Sequence, residues 1–436
     1  MRPIAGVSLP TAVGALAILL LVAAVGPLVH AYDNGVARLP PMGWNTWCTD
    51  DICGLFDKCS EDLVRQQADA LVASGMRELG YRYVIMDDCW SAKTRDDEGR
   101  LQPDANRFPH GMRALADYVH ALGLKLGAYS CIGTHTCRNG LPGSFGHYAT
   151  DAETFANWTL DLVKTDNCAK PGQFTDQELF TNFSHQLNKT GHPMLFALCE
   201  WGVDNVEEWG GKVGQQFRVQ MDHLPAWWLP THGAGKGYGQ GTWNIIEYVA
   251  TLKPSSFVRP HAWMDPGVVM TLFPTFTVQQ SRVEFSFWSL WSAPLVIATH
   301  VNNMSEAKRH ILLNQAVIDI NQDPLSVAGD RLYNHSDGSQ LWARPLANGD
   351  AALILYNNQL LDLFGNVTVT VPWQQLNIAA GSSWVMIRDL WSDMTWNAST
   401  ADTFEASLSF SDALMVRVTC SAPPCIKSMG RLNYQF

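Results

Sequence analysis

The sequence has no Cys-x-x-Cys motif and no two histidines four positions apart, so it offers neither a common redox motif nor a common zinc site. It also has no cluster of lysine and arginine, and its formal net charge is −11 with a pI near 5.6. A nucleic-acid partner would need clustered positive charge, so this class of partner is excluded. The sequence shows no internal repeat of fixed period, no coiled coil and no low-complexity tract.

The chain is long and rich in apolar residues. Its 436 residues suffice for a large domain and a smaller one. Hydrophobic residues make up 47% of the chain, and 17 residues are tryptophan. Most tryptophans belong to protein cores, but their flat faces also stack well on the apolar C–H face of a sugar. The composition therefore favours a well-packed protein and admits a carbohydrate ligand.

Residues 1–31 differ in composition from the rest of the chain. Arg2 precedes an almost uncharged stretch over residues 7–29, and Val29-His30-Ala31 is a small-x-Ala cleavage pattern. We predict a secretory signal peptide over residues 1–31 that is cut after Ala31. An uncleaved membrane anchor is the alternative, because the stretch is long enough to span a bilayer.

Two further features favour export. The chain has ten cysteines, which fit an oxidising compartment. It also has seven N-x-Ser/Thr sequons, which begin at Asn157, Asn182, Asn188, Asn303, Asn334, Asn366 and Asn397. We therefore expect a glycoprotein that is secreted or delivered to a vacuole or lysosome, with no membrane attachment once the signal peptide is removed. A homodimer is left open.

From Leu39 onward, short apolar runs alternate with amphipathic stretches, which is typical of repeated βα units. The predicted strands cover residues 40–47, 81–86, 124–129, 162–168, 194–198, 217–220, 256–263 and 294–298. Eight such units predict an α/β fold, a (β/α)8 TIM barrel over residues 32–325. Beyond Leu325, alternating runs separated by Gly, Asn, Asp and Ser turns predict a C-terminal antiparallel β-sandwich over residues 326–436.

Polar and aromatic residues occur at the carboxyl ends of the predicted strands, and a barrel brings those ends to one mouth. They are Trp44, Asp87, Asp88, Tyr129, Lys164, Asp166, Glu200, Arg218 and Asp222. An acidic pocket with aromatic walls suits the cleavage of a neutral sugar. A calcium or magnesium site would need five or more convergent oxygens, and the lysine and arginine argue against it. We expect no metal and no cofactor.

Two carboxylates can hydrolyse a glycoside if their environments separate their roles. We predict Asp166 as the nucleophile, because Lys164 lies two residues earlier on the same strand face and keeps it ionised. Asp222 is predicted as the general acid and then the base, in a drier setting. Asp87 and Asp88 are adjacent, so two arrangements stay open: both bind the ligand at a turned strand end, or one binds it and the other caps a loop.

Several motifs stand in a fixed order between Leu39 and Leu325. They are Met42-Gly43-Trp44-Asn45-Thr46-Trp47, Asp87-Asp88-Cys89-Trp90, Lys164-Thr165-Asp166-Asn167-Cys168, Cys199-Glu200-Trp201 and Ile320-Asn321-Gln322-Asp323-Pro324-Leu325. Together they resemble the α-galactosidases, or melibiases, of glycoside hydrolase family 27 in clan D. The β-domain resembles the family in position and pattern.

The resemblance implies a retaining exo-α-galactosidase without a cofactor, which removes terminal α-D-galactose from oligosaccharides, glycolipids or galactomannans. It assigns Asp166 as the nucleophile and Asp222 as the acid/base. It also implies that the sugar is held by Trp44, Asp87, Asp88, Tyr129, Lys164, Glu200 and Arg218. Glu200 favours galactose, because family members acting on N-acetylgalactosamine carry a small residue there.

The resemblance further implies three disulfides, between Cys137 and Cys168, Cys48 and Cys89, and Cys53 and Cys59. Cys131 and Cys199 either pair together or remain thiols, and Cys420 and Cys425 could close a small loop.

Three alternative functions stay open. An α-N-acetylgalactosaminidase or a β-L-arabinopyranosidase would use the same catalytic residues on a different sugar. A galactose-binding glycoprotein without turnover is the alternative outside enzymes, because His223 and the segment from His261 to Val268 depart from the family pattern.

Overall fold

The computed structural model describes residues 31–51, 53–54, 58–138, 140–230, 239–362, 365–373 and 377–427. The predicted signal peptide, apart from its last residue, lies outside the described residues. Over the part of the chain that is described, no helix is both long and apolar enough to cross a membrane.

Eight parallel strands form one sheet in the N-terminal domain. They are β1 (Met42–Asn45), β2 (Tyr81–Met86), β3 (Lys125–Cys131), β4 (Leu162–Asp166), β5 (Leu195–Cys199), β6 (Gln216–Arg218), β7 (Trp263–Asp265) and β8 (Leu295–Ile297). The strands pair in the order β7-β6-β5-β4-β3-β2-β1-β8. Val269, just after β7, pairs with Ile297 of β8 and closes the ring. The predicted (β/α)8 barrel is confirmed.

Helices alternate with these strands. They are α1 (Glu61–Ala73), α2 (Gly111–Ala121), α3 (Tyr148–Asn157), α4 (Asp176–Lys189), α5 (Val206–Trp209), α6 (Thr242–Leu252), α7 (Val278–Leu290), α8 (Glu306–Leu312) and α9 (Gln315–Asn321). The Ser60 hydroxyl accepts a hydrogen bond from the backbone N–H of Leu63 at the start of α1. Thr175 and Glu178 form a reciprocal capping box at the start of α4. Such caps satisfy N–H groups that a helix start leaves unpaired.

Apolar side chains fill the barrel interior. Tyr83, Ile85, Leu162, Leu195 and Val296 are buried there as one cluster. The barrel is therefore a packed core whose chemistry is confined to the mouth, where the strands end.

The C-terminal domain is antiparallel, as predicted. Its strands are β9 (Asp330–Asn334), β10 (Ser339–Pro345), β11 (Ala351–Asn357), β12 (Val367–Val371), β13 (Trp384–Asp389), β14 (Thr395–Ser399), β15 (Phe404–Leu408) and β16 (Ala413–Cys420). Six of them form a sheet in the order β14-β13-β16-β11-β10-β9, and β12 pairs with β15. Apolar residues from both sheets share one buried cluster, so the domain is a sandwich.

Helix α7 lies between the barrel and the sandwich. Every residue from 283 to 290 is buried, which is the pattern of a helix enclosed on all sides. The Phe287 ring centroid lies 5.1 Å from that of Trp342 in β10 and 5.2 Å from that of Tyr356 in β11. The aromatic residues of α7 thus join the two domains through one continuous core.

The seventh predicted strand, over residues 256–263, is wrong in extent. The structure has a 3-10 turn at Pro254–Ser256, and β7 covers only Trp263–Asp265. His261 has a positive φ of 64°, and this conformation cannot continue an extended strand. The length of this strand was therefore overestimated, because it was inferred from apolar content alone.

Two of the expected disulfides are corrected by the structure. Cys48 is bonded to Cys53 and Cys59 to Cys89, in place of the expected pairs of Cys48 with Cys89 and Cys53 with Cys59. The chain turns back on itself after β1, where the N–H of Gly54 donates to the Trp47 carbonyl oxygen, and this turn brings Cys48 and Cys53 together.

The other cysteines form two bonds and leave two thiols. Cys137 is bonded to Cys168, and Cys420 to Cys425. Cys131 and Cys199 are buried free thiols.

Candidate active site

Asp166 is the last residue of β4 and lies at the barrel mouth. It stands in register between Cys131 of β3 and Cys199 of β5. Its Oδ2 atom accepts a hydrogen bond from the Tyr129 hydroxyl at 2.7 Å. Its buried Oδ1 atom has no hydrogen-bond partner among the described residues. Asp166 is therefore a positioned carboxyl group with one oxygen available for chemistry.

The loop after β3 supports this position. The backbone N–H of Cys137 donates to the Tyr129 hydroxyl oxygen at 3.4 Å, and Cys137 is bonded to Cys168, two residues after Asp166. The disulfide thus connects the loop that contacts Tyr129 with the strand that carries Asp166. Tyr129 is itself buried, so its hydroxyl is held in one place.

The environment of Asp166 raises its pKa to about 6. Burial is the largest cause, because desolvation disfavours the charged form. The Lys164 ammonium acts in the opposite direction, and the negative charges of Asp87 and Asp222 raise the pKa further. Asp166 is therefore largely ionised at neutral pH only because Lys164 offsets part of the cost of its burial.

Lys164 forms a buried ion pair with Asp87. Its Nζ atom lies 2.6 Å from Asp87 Oδ2, and it is also 5.5 Å and 5.7 Å from the ring centroids of Tyr129 and Trp47. Burial favours the neutral amine, but the carboxylates of Asp87 and Asp166 outweigh it and hold the pKa of Lys164 above its usual value. Lys164 remains a cation beside the nucleophile candidate.

Asp87 and Asp88 are both buried, and they contact different partners. Asp87 faces Lys164, and its backbone N–H donates to the Thr46 hydroxyl oxygen at 2.8 Å. Asp88 Oδ2 accepts a hydrogen bond from the backbone N–H of Arg138 at 2.8 Å. Asp87 therefore belongs to the charged centre and Asp88 holds the loop after β3, and whether one or both of them bind the ligand stays a prediction.

Arg218 connects two carboxylates on the other side of the mouth. Its Nε atom lies 3.2 Å from Asp265 Oδ2, and its Nη1 atom lies 3.4 Å from Asp222 Oδ1. Arg218 is buried, which alone would lower its pKa, but the nearby carboxylates raise the pKa instead. The guanidinium therefore stays charged and restrains the Asp222 side chain.

The predicted drier setting of Asp222 is wrong. The Asp222 side chain is 30% exposed, whereas Asp166 is buried. The difference follows from their positions, because Asp166 ends a barrel strand and Asp222 lies four residues beyond the end of β6 in a loop. Exposure allows Asp222 to exchange protons with water.

Trp44 and Glu200 are both held by backbone groups. Neither side chain has solvent-exposed surface. The indole N–H of Trp44 donates to the Thr299 carbonyl oxygen at 2.8 Å. The two carboxylate oxygens of Glu200 accept hydrogen bonds from the backbone N–H groups of Val203 and Asp204. In this structure Glu200 shapes the loop after β5, so its role in excluding an acetamide group stays a prediction.

The pKa of Glu200 is raised to about 8, because burial and, after it, the neighbouring Asp176 carboxyl outweigh the opposite effect of the backbone N–H groups of Asp204 and Val203.

Three site residues were missed from the sequence. Trp47 and Asp265 stand beside Lys164 and Arg218, as described above. Trp201 has a positive φ of 68° and a buried indole N–H without a hydrogen-bond partner among the described residues. A strained backbone and an unpaired donor are typical of a ligand site. All three residues lie at or just after the carboxyl end of a barrel strand, and this position could have identified them as site residues from the sequence.

Within the described part of the chain, no group of three or more His, Cys, Asp or Glu residues could hold a metal ion.

Comparison with known proteins agrees with the geometry. Residues 39–323 match the family described as alpha galactosidase A, and residues 336–418 match the alpha galactosidase C-terminal beta sandwich domain. The chain belongs to the alpha galactosidase A family. The resemblance inferred from the motifs is thereby confirmed, and it extends to the C-terminal domain.

Members of this family from several organisms are similar over most of the chain. The α-galactosidase of Oryza sativa is 38% identical, with 85% of this chain and 82% of that protein covered. An α-N-acetylgalactosaminidase of Gallus gallus is 35% identical over 75% of this chain and 81% of its own length. The structure of α-galactosidase I from Mortierella vinacea is 30% identical, with a TM-score of 0.82, and covers 90% of this chain and 100% of its own.

We expect kcat/KM to fall as the pH decreases through about 6, because protonated Asp166 cannot attack. In Lys164→Met, the loss of the cation should raise the pKa of Asp166, so the fall in kcat/KM should occur at higher pH than in the wild type. The measurement is kcat/KM between pH 4 and 8. Lys125→Met is the control, since Lys125 lies at the start of β3, at the opposite end from the mouth. If kcat/KM of Lys164→Met fell at the same pH as that of the wild type, the electrostatic effect of Lys164 on Asp166 would be contradicted.

Proposed function

We propose that the protein is a retaining exo-α-galactosidase that removes terminal α-D-galactose from oligosaccharides, glycolipids or galactomannans. The observation that carries the proposal is the state of Asp166. Its carboxyl is buried, one oxygen is held by Tyr129, the other has no partner among the described residues, and a lysine cation lies nearby. This is the arrangement that a nucleophilic carboxylate needs.

In the first step, Asp166 Oδ1 attacks the anomeric carbon of galactose. The bond to the leaving oxygen breaks as Asp222 protonates that oxygen, and a β-linked galactosyl ester of Asp166 forms. Lys164 stabilises Asp166 in its ionised form before the attack. Because the sugar is neutral and the charge on Asp166 is lost as the bond forms, the reaction relieves the cost of a buried carboxylate.

In the second step, Asp222 acts as the base. It takes a proton from water, and the water oxygen attacks the anomeric carbon and displaces the Asp166 carboxylate. Two inversions give a product of retained configuration. The contact with Arg218 restrains Asp222, and its exposure supplies the route by which protons return to solvent.

Galactose as the substrate is supported by the α-galactosidases among the similar proteins, including those of Oryza sativa and Cyamopsis tetragonoloba. The Gallus gallus protein, an α-N-acetylgalactosaminidase, is 35% identical and keeps N-acetylgalactosamine as the second candidate. A β-L-arabinopyranosidase from Geobacillus stearothermophilus is 19% identical, and this likeness concerns the fold alone.

Passage through the secretory pathway is part of the proposal. It is supported by four disulfides among the described residues, since such bonds persist in oxidising compartments.

Turnover of three p-nitrophenyl glycosides tests the proposal. We expect the α-galactoside to be hydrolysed at least about 100-fold more efficiently than the β-L-arabinopyranoside, which lacks the 6-hydroxymethyl group and leaves its partners in the pocket unpaired. We expect a similar preference over the α-N-acetylgalactosaminide, because its acetamide group is larger than the 2-hydroxyl and Glu200 is predicted to leave no room for it. The measurement is kcat/KM for each substrate between pH 4 and 7. Preference for another glycoside would replace the substrate assignment. Galactose binding without any turnover would favour the non-catalytic alternative.

A further inference from the structure

A groove outside the barrel mouth runs between helix α7 and the sandwich. Its volume is about 660 Å³, and we call it the α7 groove. The residues that define it here are Gln279, Arg282, Trp391, Trp396, Phe404 and Glu405. It draws on both domains and is distinct from the catalytic residues, none of which lines it.

The α7 groove combines aromatic rings with charged groups. The half-buried rings of Trp396 and Phe404 lie 5.8 Å apart. Trp391 is fixed by a hydrogen bond from its indole N–H to the Ser286 hydroxyl oxygen at 3.1 Å, and the Arg282 guanidinium lies 5.8 Å from its ring centroid. Aromatic faces accept the C–H face of a sugar, and the exposed groups of Arg282 and Glu405 can bond its hydroxyls.

The position of the α7 groove relates it to the active site. In a (β/α)8 barrel each helix begins on the face where the preceding strand ends, so the first turns of α7, with Gln279 and Arg282, lie on the catalytic face. Gln279 Nε2 donates to the Phe410 carbonyl oxygen at 3.3 Å. Next to it, the Ser411 hydroxyl oxygen accepts from the indole N–H of Trp227 at 3.0 Å, and Trp227 belongs to the loop that follows Asp222.

A second groove adjoins the first and continues it towards helix α8. It has a volume of about 540 Å³ and shares Val278, Arg282 and Trp391 with the α7 groove. The shared ring and guanidinium therefore stand in the middle of a long surface depression. An extended chain of several sugar units fits such a surface better than a single sugar does.

We propose that the α7 groove is a second carbohydrate-binding site, which holds the backbone of a galactose-bearing polysaccharide while a galactose branch is cleaved at the mouth. The proposal rests on the proposed function for the nature of the substrate. Binding at two connected places raises the local concentration of the branch at the catalytic residues. The site therefore matters for polymers and not for small galactosides.

Trp396→Ala tests the site, with Trp384→Ala as the matched control. Trp384 is 50% exposed on β13 but does not line the α7 groove. We expect kcat/KM for galactomannan to fall about tenfold in Trp396→Ala, the loss of one stacking contact. Turnover of p-nitrophenyl α-galactoside should not change, and Trp384→Ala should match the wild type on both substrates. Equal galactomannan turnover in all three proteins would overturn the proposal.

Arg282→Gln with Glu405→Gln covers the case in which Trp396→Ala misfolds, because both side chains are exposed. This double variant should lose galactomannan turnover but keep the small substrate. Affinity electrophoresis in galactomannan gels, in an Asp166→Asn background, measures binding without catalysis. There the groove variants should migrate faster than their parent, and unchanged migration would also overturn the proposal. Failure of the proposed function would appear separately, as wild-type protein inactive on p-nitrophenyl α-galactoside.

Discussion

Replacing Asp166 with alanine should lower kcat by roughly 10⁵-fold, the scale seen when a catalytic nucleophile is removed. The other carboxylate beside Lys164, that of Asp87, is held in an ion pair with its ammonium group, so we do not expect it to take over the attack. Added azide should then restore turnover of an activated galactoside by attacking from the face that Asp166 occupied. The product should be β-galactosyl azide, identified by NMR of its anomeric proton.

The configuration of the azide product makes this result specific to the nucleophile. Asp97→Ala is the control, because Asp97 is exposed in the loop between β2 and α2, and it should keep full activity without azide. Recovery of α-galactosyl azide from the Asp166 variant would reject the assignment, since that product requires a covalent intermediate to form first.

Replacing Asp222 with alanine should lower kcat by about 10²–10⁴-fold on natural galactosides, the usual range for a general acid–base group. The loss in the first step should be small for a nitrophenyl leaving group, which departs without protonation. The galactosyl ester of Asp166 would then accumulate and give a burst of nitrophenol in stopped-flow measurements. Azide should attack this ester and give α-galactosyl azide, opposite in configuration to the product of the Asp166 variant.

Gln220→Ala provides a comparison for this experiment, because Gln220 is a buried neighbour on the same loop without an assigned proton-transfer role. It should lose some activity equally on good and poor leaving groups. If Asp222→Ala behaved in the same leaving-group-independent way, Asp222 would be a structural residue and the acid would have to be sought elsewhere.

The sequence predicted most of the barrel because parallel strands buried on both faces are continuous apolar runs. It failed where this signal is weak. Strand β7 has three residues, and the apolar run before it contains a turn at His261. Strands β14 and β15 are half-exposed, and they show instead the alternation of apolar and polar residues that is typical of antiparallel strands.

The site was predictable in position and less so in orientation. A strand end fixes where Asp166 and Lys164 lie, and their proximity followed from the barrel alone. The direction of Glu200 depends on a competition between the pocket and the backbone N–H groups of the next loop, which the sequence does not reveal. Disulfide pairing in the first loops failed for a similar reason, because the spacing of Cys48, Cys53, Cys59 and Cys89 permits more than one connectivity.

The enclosure of α7 has a consequence for how the protein can change over time. Helix α7 packs against the barrel on one side and against the sandwich on the other, through Phe287, Trp342 and Tyr356. Each domain would therefore expose apolar surface if the other were removed. The two domains should therefore be inherited, lost and recombined as one piece. Substitutions far out in the sandwich can reach the catalytic face through this shared helix, so the sandwich is part of the enzyme's evolutionary unit and not a removable attachment.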